Sequence, residues 1–219
     1  MDDSARPTLT IIDGRLEALL PGERTGAGIT VDYSSIRFPD GPESVRGSPL
    51  VRACGREAAL AGASLIDATA GLGYDAFMLA LAGFRVTAVE RVEAIARLAE
   101  DGLRRALIER PSLSMRVLAG DARDAIAAAP PAIVYMDPMY PPKRRASALP
   151  PKEMQFVRTL AGDDHDSDEL FRVAIAHAAR VVVKRPHHAD PFGTPSHSVE
   201  SKLVRFDVYM RSGPLQEGG

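Results

Sequence analysis

The sequence predicts an α/β protein built on a doubly wound, mostly parallel sheet with an antiparallel last strand and a small β-rich N-terminal piece. Three observations carry that expectation. Short apolar runs alternate with amphipathic helical stretches from Ser64 onward, the pattern that produces parallel strands joined by crossover helices. One of these runs passes directly into a glycine turn, S-L-I-D-A-T-A-G-L-G-Y-D over residues 64–75, and strand, glycine turn, helix is how such sheets bring backbone close to a nucleotide-like ligand. The final run, Leu203 to Arg211, has no helix before or after it, so it is expected at an antiparallel edge.

Composition bounds the rest. The chain has 219 residues, 45% hydrophobic and 26% charged, with net charge −2, as in one soluble globular domain with a sizeable core. A nucleic-acid partner therefore needs a local basic patch, because there is no global positive field. One cysteine, Cys54, leaves no internal disulfide and fits a reducing compartment. The opening M-D-D-S-A-R-P lacks an apolar signal segment, and no apolar run approaches the roughly 20 residues of a membrane span. A cytoplasmic protein with no membrane contact is expected.

Taken in order, residues 8–38 hold short β-like segments separated by Gly and Pro, and residues 38–49 read as a connecting loop. Residues 1–49 thus form a small β-rich region and linker, and residues 50–219 the main domain. Leu50 to Ala61 is expected as a helix leading into the core. The first strand of the main domain is Leu65 to Asp67, and its helix runs Asp75 to Ala82 until Gly83 stops it. The second strand is Arg85 to Glu90. Its helix spans Val92 to about Ile108, with Ile95, Leu98, Leu103 and Leu107 at near-helical spacing. Met115 to Ala119 is the third strand, followed by a short helix from Ala122 to Ala129. Ala132 to Asp137 is the fourth strand, and a charged loop from Pro138 to Pro151 precedes Lys152 to Leu160. A helix from Ser167 to Ala179 leads to the fifth strand, Arg180 to Lys184.

The candidate site gathers where these strands end. Gly71 and Gly73 allow backbone to approach a ligand, and G-L-G-Y-D-A (71–76) fits the dinucleotide fingerprint. Glu90 ends the second strand about 20 residues beyond the turn, where a carboxylate accepts from two ribose hydroxyls; the plainer reading is an exposed strand-end charge. These features serve a nicotinamide cofactor or S-adenosylmethionine equally. Asp121, in G-D-A (120–122), can accept from an adenine amino group or cap the helix that follows, and the two roles are compatible.

The discriminating motif is D-P-M-Y (137–140). An amino nitrogen on a base is a weak nucleophile, because its lone pair is delocalised into the ring. Hydrogen bonds from that amino group to the Asp137 carboxylate and to a backbone carbonyl, such as that of Pro138, favour a nitrogen with an available lone pair. Tyr140 can stack on the base and align it. The bland alternative is a Pro-rich turn with a buried tyrosine. Lys143, Arg144, Arg145 and Lys152 form a basic stretch beside this motif, and Lys184 and Arg185 can extend it toward phosphate contacts; a charge run is otherwise a solvated face. His187 and His188 lack a cysteine partner, and no metal site is expected.

These segments resemble the ribosomal RNA small subunit methyltransferase J family: D-A-T-A-G-L-G-Y-D-A-F (67–77), V-E-R (89–91), D-P-M-Y-P (137–141), S-A-L-P-P-K-E-M (147–154), V-V-V-K-R-P (181–186) and R-F-D-V-Y (205–209). The resemblance covers about residues 64–210. It implies a class I methyltransferase sheet, S-adenosylmethionine as cofactor, and methylation of the exocyclic amino group of a guanine in 16S rRNA of the small ribosomal subunit. It further implies cofactor contacts at Asp67, Gly71, Gly73, Tyr74, Asp75, Glu90, Arg91, Gly120, Asp121 and Asp137, with Asp137, Pro138 and Tyr140 at the reacting nitrogen. The sequence departs from the family at Tyr74, where members carry Arg, and at Gly120 and Asp121, where they carry a Ser pair. Two other readings compete: a nicotinamide-dependent oxidoreductase, which leaves D-P-M-Y unexplained, and a non-catalytic RNA-binding module that keeps a nucleotide pocket.

Overall fold

In the computed structural model, residues 7–36, 42–139, 151–162 and 166–211 are described. Strands β1 (Thr8–Ile12) and β2 (Arg15–Leu19) form an antiparallel hairpin in which Ile12 faces Arg15. The two-residue turn, Asp13 and Gly14, has φ of 49° and 76°, the left-handed pair that matches the twist of the strands. Three short helices follow: α1 (Pro42–Gly47), α2 (Pro49–Cys54) and α3 (Arg56–Leu60). The single helix expected over residues 50–61 is therefore two. It breaks at Gly55, where the Arg180 guanidinium crosses the space a Cβ would fill.

The main domain alternates as its sequence pattern implies: β3 (Ser64–Asp67), α4 (Tyr74–Ala82), β4 (Arg85–Glu90), α5 (Glu93–Glu109), β5 (Met115–Ala119), α6 (Ala122–Ala128), β6 (Ile133–Met136), α7 (Lys152–Ala161), α8 (Ser167–His177), β7 (Arg180–Pro186), β8 (His197–Glu200) and β9 (Val204–Met210). The seven strands lie in the order β5-β4-β3-β6-β7-β9-β8. The first five are mutually parallel, and β9 runs antiparallel to both β7 and β8. The antiparallel last strand is present but is not the edge; β8 lies outside it. The order reverses between β3 and β6, the place where doubly wound sheets leave a crevice beyond their carboxyl ends.

Side chains two apart share a face of a strand, and the core divides accordingly. Leu65, Tyr135 and Val182 pack on one side with Phe77, Leu98 and the N-terminal Val31 and Tyr33. Ile66, Val134, Met136, Val181 and Val183 face the other way, toward Ile126 of α6 and Ala174 of α8. Both faces being covered explains why these strands read as continuous apolar runs.

The N-terminal region shares the first of these layers. The Leu16 N–H donates to Asp101 on α5, and the Tyr33 ring stacks on Phe77 with centroids 4.5 Å apart. The Tyr33 hydroxyl then donates to the Leu72 carbonyl at 2.8 Å, so the piece outside the sheet braces the glycine turn.

Candidate active site

The cleft opens beyond the carboxyl ends of β3, β4, β5 and β6, and hydrogen bonds tie the four following loops together. The Ala68 N–H donates to the Tyr135 carbonyl, Ala70 N–H to Val89, and Gly120 N–H to the Glu90 carbonyl. The Asp137 N–H donates to the Thr69 hydroxyl oxygen at 2.6 Å. Gly73 caps α4 with φ of 80°, and a Cβ there would run into the Tyr33 hydroxyl. Positive φ and close approach together explain why glycine stands at that position.

Glu90 organises one half of the cleft. It is 7% exposed, and its carboxylate accepts the Gly71 N–H at 2.9 Å and the Val92 N–H at 2.8 Å. An ionised carboxylate has about four lone-pair sites, so capacity remains for hydroxyls approaching from the cleft. Glu90 is thus more than an exposed strand-end charge. Asp121 caps α6 through the Arg123 N–H at 2.8 Å and pairs with the Arg123 guanidinium. Arg123 holds its carboxyl below the usual range despite partial burial.

The other wall comes from the segment after β6. Ala161, Asp166, Ser167 and Leu170 face the cleft alongside Val89, Gly120 and Ala122. Arg91 pairs with Asp166 at 3.1 Å, and Arg123 with Glu169 at 2.6 Å. The result is a slot lined by apolar Val89, Ala122, Val157 and Leu170 and by the carboxylates of Glu90, Asp121 and Asp137, surfaces that suit a planar ring and its hydroxyl and amino donors.

Beside it lies a charged network. The Lys184 ammonium sits 2.8 Å from Asp137 Oδ2 and 2.9 Å from Asp75 Oδ2. The Tyr135 hydroxyl donates to the same Asp75 oxygen at 2.6 Å. Burial lowers the Lys184 pKa, but the two carboxylates outweigh it and the net shift is upward. Burial and neighbouring anions push the Tyr135 hydroxyl well up, so it stays a donor. The Asp137 side chain is 37% exposed and opens to the cleft, while Pro138 behind it is buried.

The expected residues separate into groups. Gly71, Glu90, Arg91, Gly120, Asp121 and Asp137 line the cleft, and Gly73, Tyr74 and Asp75 begin the adjoining helix. Tyr74 meets the Tyr33 ring edge-on, turned to the N-terminal region. Asp67 does not face the cleft. It is 1% exposed, accepts the Thr69 N–H at 3.2 Å, and has its pKa raised by burial and by Asp75. Its place is beneath the turn.

Two residues expected in the basic patch are also elsewhere. Lys184 belongs to the Asp75–Asp137 network, and Arg185 is 8% exposed with its guanidinium 4.5 Å over Phe192. Neither presents charge to a phosphate backbone. Lys152 pairs with Glu23 at 2.8 Å and reaches the Ala27 carbonyl. Tyr140, Lys143, Arg144 and Arg145 lie outside the described residues.

Sequence reasoning missed Thr69, Arg123 and Asp166. Thr69 had a signal, a lone hydroxyl in the small-residue loop; Asp166 had none, since its partner Arg91 is 75 residues away. Among the described residues, no group of three His, Cys, Asp or Glu side chains could hold a metal ion, and no helix is long and apolar enough to cross a membrane.

Comparisons with known proteins agree with this geometry. A family described as "Putative SAM-dependent methyltransferase" matches residues 1–211. The ribosomal RNA small subunit methyltransferase J of Thioalkalivibrio sulfidiphilus is 42% identical over 223 residues, covering 95% of this chain and 87% of that protein. Its namesake in Pseudomonas aeruginosa is 39% identical, covering 95% and 84%. A solved SAM-dependent methyltransferase of Neisseria gonorrhoeae superposes with a TM-score of 0.72 at 30% identity, covering 98% of this chain and 86% of that one. With the glycine turn, Glu90 and Asp137 on one cleft, the chain belongs to the S-adenosylmethionine-dependent methyltransferase family of the ribosomal RNA small subunit methyltransferase J proteins.

Proposed function

We propose that this methyltransferase acts on the exocyclic amino group of a guanine in 16S rRNA of the small ribosomal subunit, in the cytoplasm. The carrying observation is Asp137: a carboxylate held by its backbone to Thr69, partly exposed, and lining the same cleft as Glu90. The names of the relatives point the same way.

S-adenosylmethionine, when bound, supplies an electrophilic methyl on a sulfonium sulfur. The protein's part is to place the acceptor. Glu90 accepts the ribose hydroxyls, Asp121 accepts from the adenine amino group, and the apolar wall from Val89 and Leu170 holds the ring. Asp137 and the Pro138 carbonyl accept the two N–H bonds of the guanine amino group, turning its lone pair toward the methyl. Transfer to that nitrogen would leave the S–C bonding pair on sulfur, giving S-adenosylhomocysteine. The extra proton on nitrogen is then strongly acidic and leaves to water, so no strong base is required. Tyr140 stacks on the base, and Lys143, Arg144, Arg145 and Lys152 hold the phosphate backbone. Residues 1–49 act as a brace for the domain formed by residues 50–219.

The test is transfer of labelled methyl from S-adenosylmethionine to 16S rRNA, naked or in small subunits, from cells lacking this activity. Digestion to nucleosides should yield methylguanosine carrying its new methyl on the exocyclic nitrogen. Label on a different base, or none with either substrate, would overturn the reading.

A further inference from the structure

The Lys184 ammonium lies between two carboxylates on different elements, Asp75 at the start of α4 and Asp137 just after β6. Neither partner is a surface charge with freedom to swing away: Asp75 is also held by the buried Tyr135 hydroxyl, and the Asp137 backbone is fixed by Thr69. The cluster holds Asp137 at the cleft, Asp75 on the adjoining helix, the buried Asp67 beneath them, and Lys184 as the cation shared by Asp75 and Asp137.

We propose that Lys184 is a positioning residue for methyl transfer: its ammonium fixes the Asp137 carboxylate in its ionised form and in the orientation that receives the substrate amino group. This rests on the function proposed above. Coulomb attraction at 2.8 Å stabilises the charged form of Asp137 against the repulsion of Asp75, which shares the same ammonium. A protonated Asp137 would turn one oxygen into an O–H donor toward an amino group that itself donates, leaving only a neutral carbonyl oxygen as a weaker acceptor. One carboxylate oxygen engages Lys184, which sets the plane in which the group offers its remaining lone pairs. The upward shift of the Lys184 pKa agrees with a cation retained throughout turnover. The charged or titratable groups that face Asp137 are Lys184 on β7, Asp75 on α4, Asp67 on β3 and Tyr135 on β6, with Glu90, Arg91, Asp121, Arg123 and Asp166 further along the cleft.

Lys184→Met keeps the stem and removes the charge; Lys184→Arg keeps the charge. In Lys184→Met, kcat should fall about tenfold to a hundredfold, and the acid limb of the pH–rate profile should move to higher pH. Affinity for S-adenosylmethionine should stay unchanged or tighten, because a cation has left the neighbourhood of a cationic ligand. Carbon-13 titration of the aspartate carboxyls supplies a readout independent of turnover: the Asp137 pKa should rise by about one unit or more in Lys184→Met and much less in Lys184→Arg. An unmoved Asp137 titration with an unmoved acid limb would overturn the proposal. If the unaltered protein proves inactive on every rRNA, the substrate reading falls, and the carboxyl titration still decides the role of Lys184.

Discussion

Glu90 and Asp137 are both acids at strand ends, and their surroundings give them different tasks. Glu90 is nearly buried and organises backbone, accepting the Gly71 and Val92 N–H groups. Glu90→Gln replaces one acceptor oxygen with an NH2 group that must face a backbone N–H. A hydrogen bond to a charged group contributes about 1.5–3 kcal/mol, so the dissociation constant for S-adenosylmethionine should rise by about tenfold to a hundredfold, read by calorimetry. Turnover at saturating cofactor should change far less. Asp137→Asn should show the opposite split. Its amide can turn a donor toward the substrate amino group, and losing one well-placed polar contact at a reacting centre costs about a hundredfold or more in kcat. Cofactor affinity should change little, and equal losses in both quantities would remove the distinction between the two acids.

At the scale of elements, α5 carries the N-terminal region on a glycine. A Cβ on Gly102 would lie 2.5 Å from Val31 Cγ1 and 3.2 Å from Tyr33 Cε2. Helix propensity favours alanine over glycine by about 1 kcal/mol, whereas overpacking a close contact costs about 1–3 kcal/mol. The contact should win, because Val31 and Tyr33 are buried and Tyr33 is pinned to the Leu72 carbonyl. Gly102→Ala should therefore lower Tm by a few degrees and weaken cofactor binding through the displaced glycine turn. A rise in Tm would show that the N-terminal region yields freely. Nothing in residues 8–38 announced this brace, since Tyr33 and Leu72 are 39 residues apart. By contrast, β3, β4 and β6 were legible because each is a short, mostly apolar run that ends in an acid, at Asp67, Glu90 and Asp137. The short β8 was not: of its four residues only Val199 is buried, too little for a periodic signal. The same limit explains why the antiparallel β9 was expected at an edge that β8 occupies.

For the molecule as a whole, the position of the cleft was readable where a motif is local, as with Gly71 in the glycine turn and Asp137 after β6, and unreadable where it depends on which strands are neighbours. Lys184 looked like part of a surface patch until the pairing of β6 with β7 set it beside Asp137. Asp67 looked like a cofactor ligand until burial removed it from the cleft. That burial has a consequence for stability. The folded-state pKa of Asp67 is raised by burial and by the Asp75 charge, above an unfolded value of about 3.9. Between those two values the folded protein keeps a proton that the unfolded chain releases, so this contribution is complete below about pH 3.9 and is lost as pH rises through the folded pKa. Asp121 and Asp32 work in the other direction. Hydrogen bonds from Arg123 and from Ser34 lower their pKa values, and the stability they add is present above about pH 3.9 and lost as pH falls further. Asp67→Asn keeps an acceptor for the Thr69 N–H and deletes only the first of these dependences. Urea denaturation at pH 4, 6 and 8 should find the variant no more stable than the parent at pH 4. It should be more stable at pH 8, by up to about 1.4 kcal/mol for each pH unit between the unfolded and folded pKa values. Parallel curves for the two proteins across that range would mean that Asp67 is ionised in the folded state, and that Lys184 serves three carboxylates in place of two.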